Sequence, residues 1–302
     1  MSVLDDPSST PAPASPSSAR AGSAPNAPAR NPGRSGRRLG RTLIFVAMVL
    51  MAIVMLYPFA VMILVSFKTN AQYLIGHGSS TQTWREINAN LPVWQELWNS
   101  TVVCSLSIAI ILVIGVMAGF SFAKLQFRGG NVVFLGIVSA MMVPLQAILI
   151  PEFVNIAKTG LTNNYLGAVV VYAALGTPFS IFLFTTYFRR IPDELIEAGI
   201  VDGLGYWGVL WRLALPMALP AIATVTVLQF IQIWDDLLVG LLFLQNPGER
   251  TITVGLAALA AGHTTSIPLL MAGSLVSALP AMIVYLVFQR FLVRGLTMGI
   301  DR

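Results

Sequence analysis

Arg41-Thr-Leu-Ile-Phe-Val-Ala-Met-Val-Leu-Met-Ala-Ile-Val-Met-Leu-Tyr-Pro-Phe-Ala-Val-Met-Ile-Leu-Val-Ser-Phe67 carries no charged residue after Arg41. A helix crosses a bilayer with about 20 mainly apolar residues, so this run is long enough to span. In lipid each span must satisfy its own backbone polar groups, which predicts a helix. The run is too long for the apolar region of a signal peptide, and no small-residue cleavage site closes it. It reads as an uncleaved first span.

Residues 1–40, upstream, are a different material. They hold seven of the 18 prolines, with many Ser, Ala and Gly. Such a segment has little to bury and is expected to be a disordered tail, with 41–302 as the transmembrane domain. It ends in a basic cluster of Arg34, Arg37, Arg38 and Arg41.

Downstream, five more spans are predicted near 100–123, 131–151, 165–188, 217–244 and 268–291. The expected fold class is therefore all-α, a polytopic membrane protein of six transmembrane helices. Composition agrees: the chain is 56% hydrophobic and 10% charged, against about 25% charged for a soluble domain. Pro58, Pro144, Pro178, Pro220 and Pro280 interrupt spans, as in the broken helices of transporters.

Charge sets the orientation. With the N-terminus inside, fourteen of the 18 Lys and Arg fall in inner segments. The outer loops hold only Lys68, Arg85, Lys158 and Arg250. The positive-inside rule then puts both termini in the cytoplasm. The net charge of +5 belongs to span ends and the tail, so nucleic acid is not an expected partner; membrane lipid is.

The segment between the fourth and fifth spans, 189–216, is unusual. Pro192 suits the first turn of a helix, where its missing N–H costs nothing. Asp193 and Glu194 favour the positive end of the helix dipole. Leu195, Ile196 and Ile200 form an apolar stripe, with Asp193, Glu194 and Glu197 away from it. Gly203 and Gly205 break the pattern. Tyr206, Trp207, Leu210, Trp211 and Ala214 then repeat at helical spacing up to Pro216. This is a helix–turn–helix with an acidic corner facing water. Periodicity alone leaves two readings: a rigid handle for a partner, or an interfacial helix that only anchors the loop.

The same segment resembles the EAA motif of ABC importer permeases: Glu-Ala-Ala, three residues, Gly, nine residues, Ile, one residue, Leu-Pro. Here it runs Glu197-Ala198-Gly199, Gly203, Leu213 and Leu215-Pro216. Two positions depart, Gly199 for Ala and Leu213 for Ile. A glycine in a helix loosens it by up to about 1 kcal/mol relative to Ala. From about residue 42 onward the chain is similar to the MalG-type permeases of carbohydrate importers. Ser66-Phe67-Lys68, Pro151, Gly160-Leu161, Tyr165-Leu166-Gly167, Ile200-Val201-Asp202-Gly203, Trp234-Asp235-Asp236 and Gln289-Arg290-Phe291 carry that likeness. Asp235 stands where the family has Asn, and the last residues, Gly299-Ile300-Asp301-Arg302, depart from the family's ending.

The resemblance implies a type I ABC importer permease fold in a bacterial inner membrane. It implies an ABC ATPase dimer that uses ATP and magnesium, a second MalF-like permease and an extracytoplasmic sugar-binding protein. Glu197, Ala198, Gly199, Asp202, Gly203, Leu215 and Pro216 would couple to the ATPase. Glu197 would pair with a basic group there, and Gly203 would allow the turn. Trp234, Asp235 and Asp236 are the candidates for the path or its outer mouth.

Other chemistry finds little support. Lys68, Lys124 and Lys158 are the only lysines and none follows a glycine, so no phosphate loop exists and this chain is not expected to be an enzyme. No cofactor of its own is expected. His77 and His263 fall in outer loops without an H-E-x-x-H pattern, so no metal site is expected. Cys104 is alone, which excludes a disulfide within the chain. Trp84, Trp94 and Trp98 read as interfacial anchors or binding-protein contacts. The rival function is an ion-coupled secondary transporter that uses Asp235 and Asp236, since carboxylates within spans are functional candidates.

Overall fold

The computed structural model describes residues 33–262 and 266–297, with side chains from 40 to 262 and from 266 to 289. Two units are distinguished, 1–55 and 56–302. Among the described residues every regular element is helical.

The first helix, α1 (Gly33–Ser66), begins within the segment expected to be a disordered tail. Residues 33–40 are helical, and the rest of that tail lies outside the described residues. Between Gly40 and Ser66, the most apolar stretch of α1 buries no side chain.

In the second unit two short helices follow, α2 (Asn70–Ile75) and α3 (Gln82–Asn90). Thr69 starts α2 with a reciprocal capping box to Gln72, satisfying two otherwise orphaned N–H groups. Next come α4 (Val93–Lys124), α5 (Gly130–Ser139), α6 (Leu145–Lys158) and α7 (Tyr165–Phe188). The 189–216 segment holds α8 (Asp193–Val201), α9 (Tyr206–Val209), a π-helical turn over Leu210–Ala214, and α10 (Leu215–Met217). The chain ends with α11 (Leu219–Trp234), α12 (Leu238–Phe243), α13 (Ile252–Ala260) and α14 (Ile267–Thr297).

Hydropathy located α7 to the residue. Elsewhere the expected spans need correction. The second begins at Val93, because its polar head packs as helix rather than stopping at the apolar boundary. The third is two helices, α5 extended by a short 3-10 turn and α6, bent by 102° at Val143–Pro144. Proline forces the residue before it out of the helical region, and Val143 has ψ 119°. The fifth ends at Trp234, not 244, and the segment before it is bent away by 73°. Among the described residues four helices are long and apolar enough to span, or six if each bent pair counts as one. Pro58, Pro178 and Pro280 stay inside continuous helices.

The centre of the second unit is α4 against α7. Gly115 and Gly119 let them close: a Cβ on Gly119 would lie 2.5 Å from Phe184 Cβ. Small residues at a helix contact are how membrane helices approach. Phe184 and Phe188 are fully buried there, and Phe120 meets Phe188 edge-on at 5.7 Å.

Candidate functional site

The 189–216 segment is built around one helix end. At the close of α8, Leu204 N–H donates to the Gly199 carbonyl and Gly203 N–H to the Ile200 carbonyl, each at 3.0 Å. These nested bonds are a Schellman cap. Gly203 occupies its left-handed position, with φ 87°. No atom lies within 4 Å of where its Cβ would be, so the backbone and not space demands glycine.

The buried face of α8 is narrower than its apolar stripe suggests. Ile196 and Gly199 are buried, whereas Leu195 and Ile200 are each 37% exposed. Gly199 packs on the next helical element: a Cβ there would lie 2.8 Å from Leu213 Cδ1 and 3.2 Å from Val209 Cγ2. The two departures from the EAA pattern therefore face each other. Glycine at 199 makes room for the leucine at 213, and the expected loosening of α8 is offset by close packing.

The stripe over 206–214 is also only half buried. Leu210 and Ala214 are enclosed, but Tyr206, Trp207 and Trp211 are exposed. A π-helical turn follows α9. Leu215 N–H reaches back to the Leu210 carbonyl, which widens the turn and shifts the angular register. Pro216 follows at once; it cannot donate, and its ring crowds the preceding turn. Tyr187 OH donates to the Met217 carbonyl at 2.6 Å, filling an acceptor at the break before α11.

Sequence reasoning missed the residue that fastens this segment to the bundle. Lys124, at the end of α4, sends its Nζ to the Ile191 carbonyl and to Asp193 Oδ1, both at 2.5 Å. Its side chain is 3% exposed, while that of Asp193 is 78% exposed. The only signal was a lysine closing a long apolar helix, which also fits a bilayer anchor. Beside it runs a groove of about 960 Å³ between the α4–α5 connection and α8, lined by Lys124, Arg128, Arg189, Asp193 and Glu197 among others. Arg189 also stacks its guanidinium over Phe134 at 5.3 Å. Glu197, Ala198 and Asp202 stand exposed at the outer corner, as does Pro216; Leu215 is half-buried.

Trp234, Asp235 and Asp236 lie apart from this segment, at the end of α11. Trp234 is 3% exposed, stacks on Phe230 and donates from Nε1 to the Ser277 carbonyl at 3.0 Å. Asp236 Oδ2 accepts from Tyr172 OH and from Val239 N–H, each at 2.9 Å, and so starts α12. Asp235 is exposed. Of the outer-loop tryptophans, Trp94 and Trp98 are exposed, and Trp84 tilts against Phe67 at 5.7 Å. His77 follows α2, and His263 lies outside the described residues, as do Gly299–Arg302.

Residues 111–297 match the sequence profile of the family described as binding-protein-dependent transport system inner membrane component. The chain is 30% identical over 271 residues to the trehalose/maltose transport system permease protein MalG of Thermococcus litoralis, covering 86% of this chain and 96% of that protein. It is 26% identical over 262 residues to the diacetylchitobiose uptake system permease protein NgcG of Streptomyces coelicolor, covering 84% and 87%. A chain of a bacterial ABC transporter that imports the acidic polysaccharide alginate has the same fold, with a TM-score of 0.75 at 24% identity, covering 85% of this chain and 98% of that one.

Proposed function

We infer the function from this premise: the chain belongs to the family of binding-protein-dependent transport system inner membrane components. It is a transport component, the membrane-spanning permease subunit of an ABC importer. Its cargo is a carbohydrate, a mono- or oligosaccharide handed over by an extracytoplasmic binding protein. The relatives named for trehalose/maltose and diacetylchitobiose support that reading.

A separate ATPase dimer, using ATP and magnesium, supplies the power, and a second, related permease completes the path. The setting is a bacterial inner membrane, with both termini and the 189–216 segment on the cytoplasmic side. The observation that carries the coupling role is the way the exposed corner at Glu197, Ala198 and Asp202 is tied to the bundle. Lys124 links it to α4, Gly199 packs it on the turn that leads into α11, and Tyr187 joins the end of α7 to α10. A push on α8 by a docked ATPase therefore reaches three bundle helices through short, direct contacts. Glu197 offers the docking charge. The ion-coupled alternative finds no such support, because Asp236 is engaged in starting α12.

The experiment is purification with the ATPase and binding protein, followed by ATP-dependent uptake in proteoliposomes of maltose, trehalose and diacetylchitobiose. Glu197→Lys should insert normally yet lose most of the co-purifying ATPase and most of the uptake. Wild-type-like uptake by that variant would remove Glu197 from the docking site. Uptake that persists without ATP and collapses with the proton gradient would overturn the importer reading.

A further inference from the structure

A cavity of about 380 Å³ lies among α6, α7 and α11, within the range of about 300–1,000 Å³ usual for small-molecule sites. A helix break and a proline within a continuous helix meet at it. Val143 and Leu145 flank the bend at Pro144, and Pro178 lies inside α7. Ala174 also lines the cavity, and Pro178, four residues on, has no N–H to give its carbonyl.

The walls are mainly apolar, but three long polar side chains enter them: Glu152 from α6, and Gln229 and Gln232 from α11. Polar groups at membrane depth are costly unless they are paired or line a wet route. These are poorly paired. Gln229 is 2% exposed, and its Nε2 reaches only the Gly176 carbonyl at 3.5 Å, beyond the usual hydrogen-bond range. Among the described residues neither Glu152 nor Gln232 has a hydrogen-bond or ion-pair partner. Gly176, at the middle of the 24-residue α7, places Gln229 deep in the bilayer, and Gln232 stands exposed nearer the end of α11. A Cβ there would lie 2.5 Å from Gln229 Oε1, so glycine is what lets this amide rest against α7.

We propose that this cavity is a carbohydrate subsite within the translocation path, where Gln229, Gln232 and Glu152 exchange hydrogen bonds with substrate hydroxyls. The proposal rests on the carbohydrate reading above. Each amide offers both donors and acceptors, and the carboxylate accepts from hydroxyls. The apolar walls suit the C–H faces of a sugar ring. A narrow cleft of about 30 Å³ shares Gln229 and Gln232 and reaches Tyr172 and Asp236, extending the polar line along α11. Few and loosely held groups fit a path, where binding must be strong enough to admit and weak enough to release.

The test uses the complete importer with its ATPase, second permease and binding protein in proteoliposomes. Cys104 is 2% exposed and gives little background. Glu152→Cys and Gln232→Cys are treated separately with a membrane-impermeant methanethiosulfonate, with and without ATP. Both should be labelled in at least one state, and maltose or trehalose delivered by the binding protein should slow labelling. Gln232→Leu should raise the half-saturating sugar concentration for uptake by about 2- to 10-fold, the worth of one neutral hydrogen bond. No labelling in either state would overturn the subsite and assign these groups to a subunit contact or to lipid. Labelling unaffected by a sugar that the wild type transports would also overturn it. Failure of the wild type to take up any sugar of the panel strikes the carbohydrate reading instead, whatever the cysteines do.

Discussion

At the scale of single residues, the pair Gly199 and Leu213 shows how a departure from a motif gains meaning from its neighbour. Replacing Gly199 by Ala favours the helix by up to about 1 kcal/mol. The added methyl, however, would lie 2.8 Å from Leu213 Cδ1 and 3.2 Å from Val209 Cγ2, and Val209 is fully buried. Gly199→Ala alone should therefore lower the melting temperature of the assembled importer, and Gly199→Ala with Leu213→Ile should recover it. A double-mutant cycle should give a coupling of about 0.5–3 kcal/mol, as for residues in direct contact. Additive effects would show that the two departures are independent. Gly203 was legible in advance because a cap glycine follows from local geometry alone. The Gly199–Leu213 contact was not, because it depends on how two helices fold back on each other.

At the scale of elements, hydropathy found α7, and Pro144 and Pro220 marked two interruptions, but neither gave the size of a bend or told these prolines from Pro58, Pro178 and Pro280, which stay inside continuous helices. A window of apolar residues looks the same whether Pro144 leaves the helix straight or turns it by 102°. Periodicity also did not reveal the π-helical turn over Leu210–Ala214, which changes the angular register just before Pro216. Lys124 was invisible because its partners lie 67 and 69 residues away. Yet it is the strap that holds the start of α8. Lys124→Met keeps the aliphatic stem and loses both bonds. A hydrogen bond from a charged group is worth about 1.5–3 kcal/mol, and the Ile191 carbonyl loses its charged donor. An importer carrying this variant should still hydrolyse ATP in its ATPase subunits but move less sugar per ATP, while Asp193→Asn, at an exposed partner, should change the ratio little. An unchanged ratio in Lys124→Met would mean that α4 takes no part in transmission.

At the scale of the whole molecule, α4 serves as a ruler across the bilayer. Near its start, Asn99 Nδ2 donates to the carbonyls of Gly248 and Arg250 at 3.1 and 2.9 Å. At its end, Lys124 holds Ile191. Asn99 and Lys124 are about 37 Å apart at 1.5 Å per helical residue, more than the roughly 30 Å hydrocarbon core. The 245–250 loop and the 189–216 segment must then emerge on opposite faces. The positive-inside rule predicts which is which: Lys124, Arg128, Arg189, Arg190 and Arg212 stand at the end of the bundle that carries the 189–216 segment, which is therefore expected to be cytoplasmic. Single cysteines at Asn246 and Asp202, both exposed, convert this into a measurement in intact spheroplasts. An impermeant thiol reagent added outside should label Asn246→Cys and leave Asp202→Cys untouched until the membrane is opened. Labelling of both from outside would break the ruler, because one helix cannot bond both loops from a single face. The reverse pattern would keep the ruler and invert the charge rule, placing the coupling corner where no cytoplasmic ATPase can reach it.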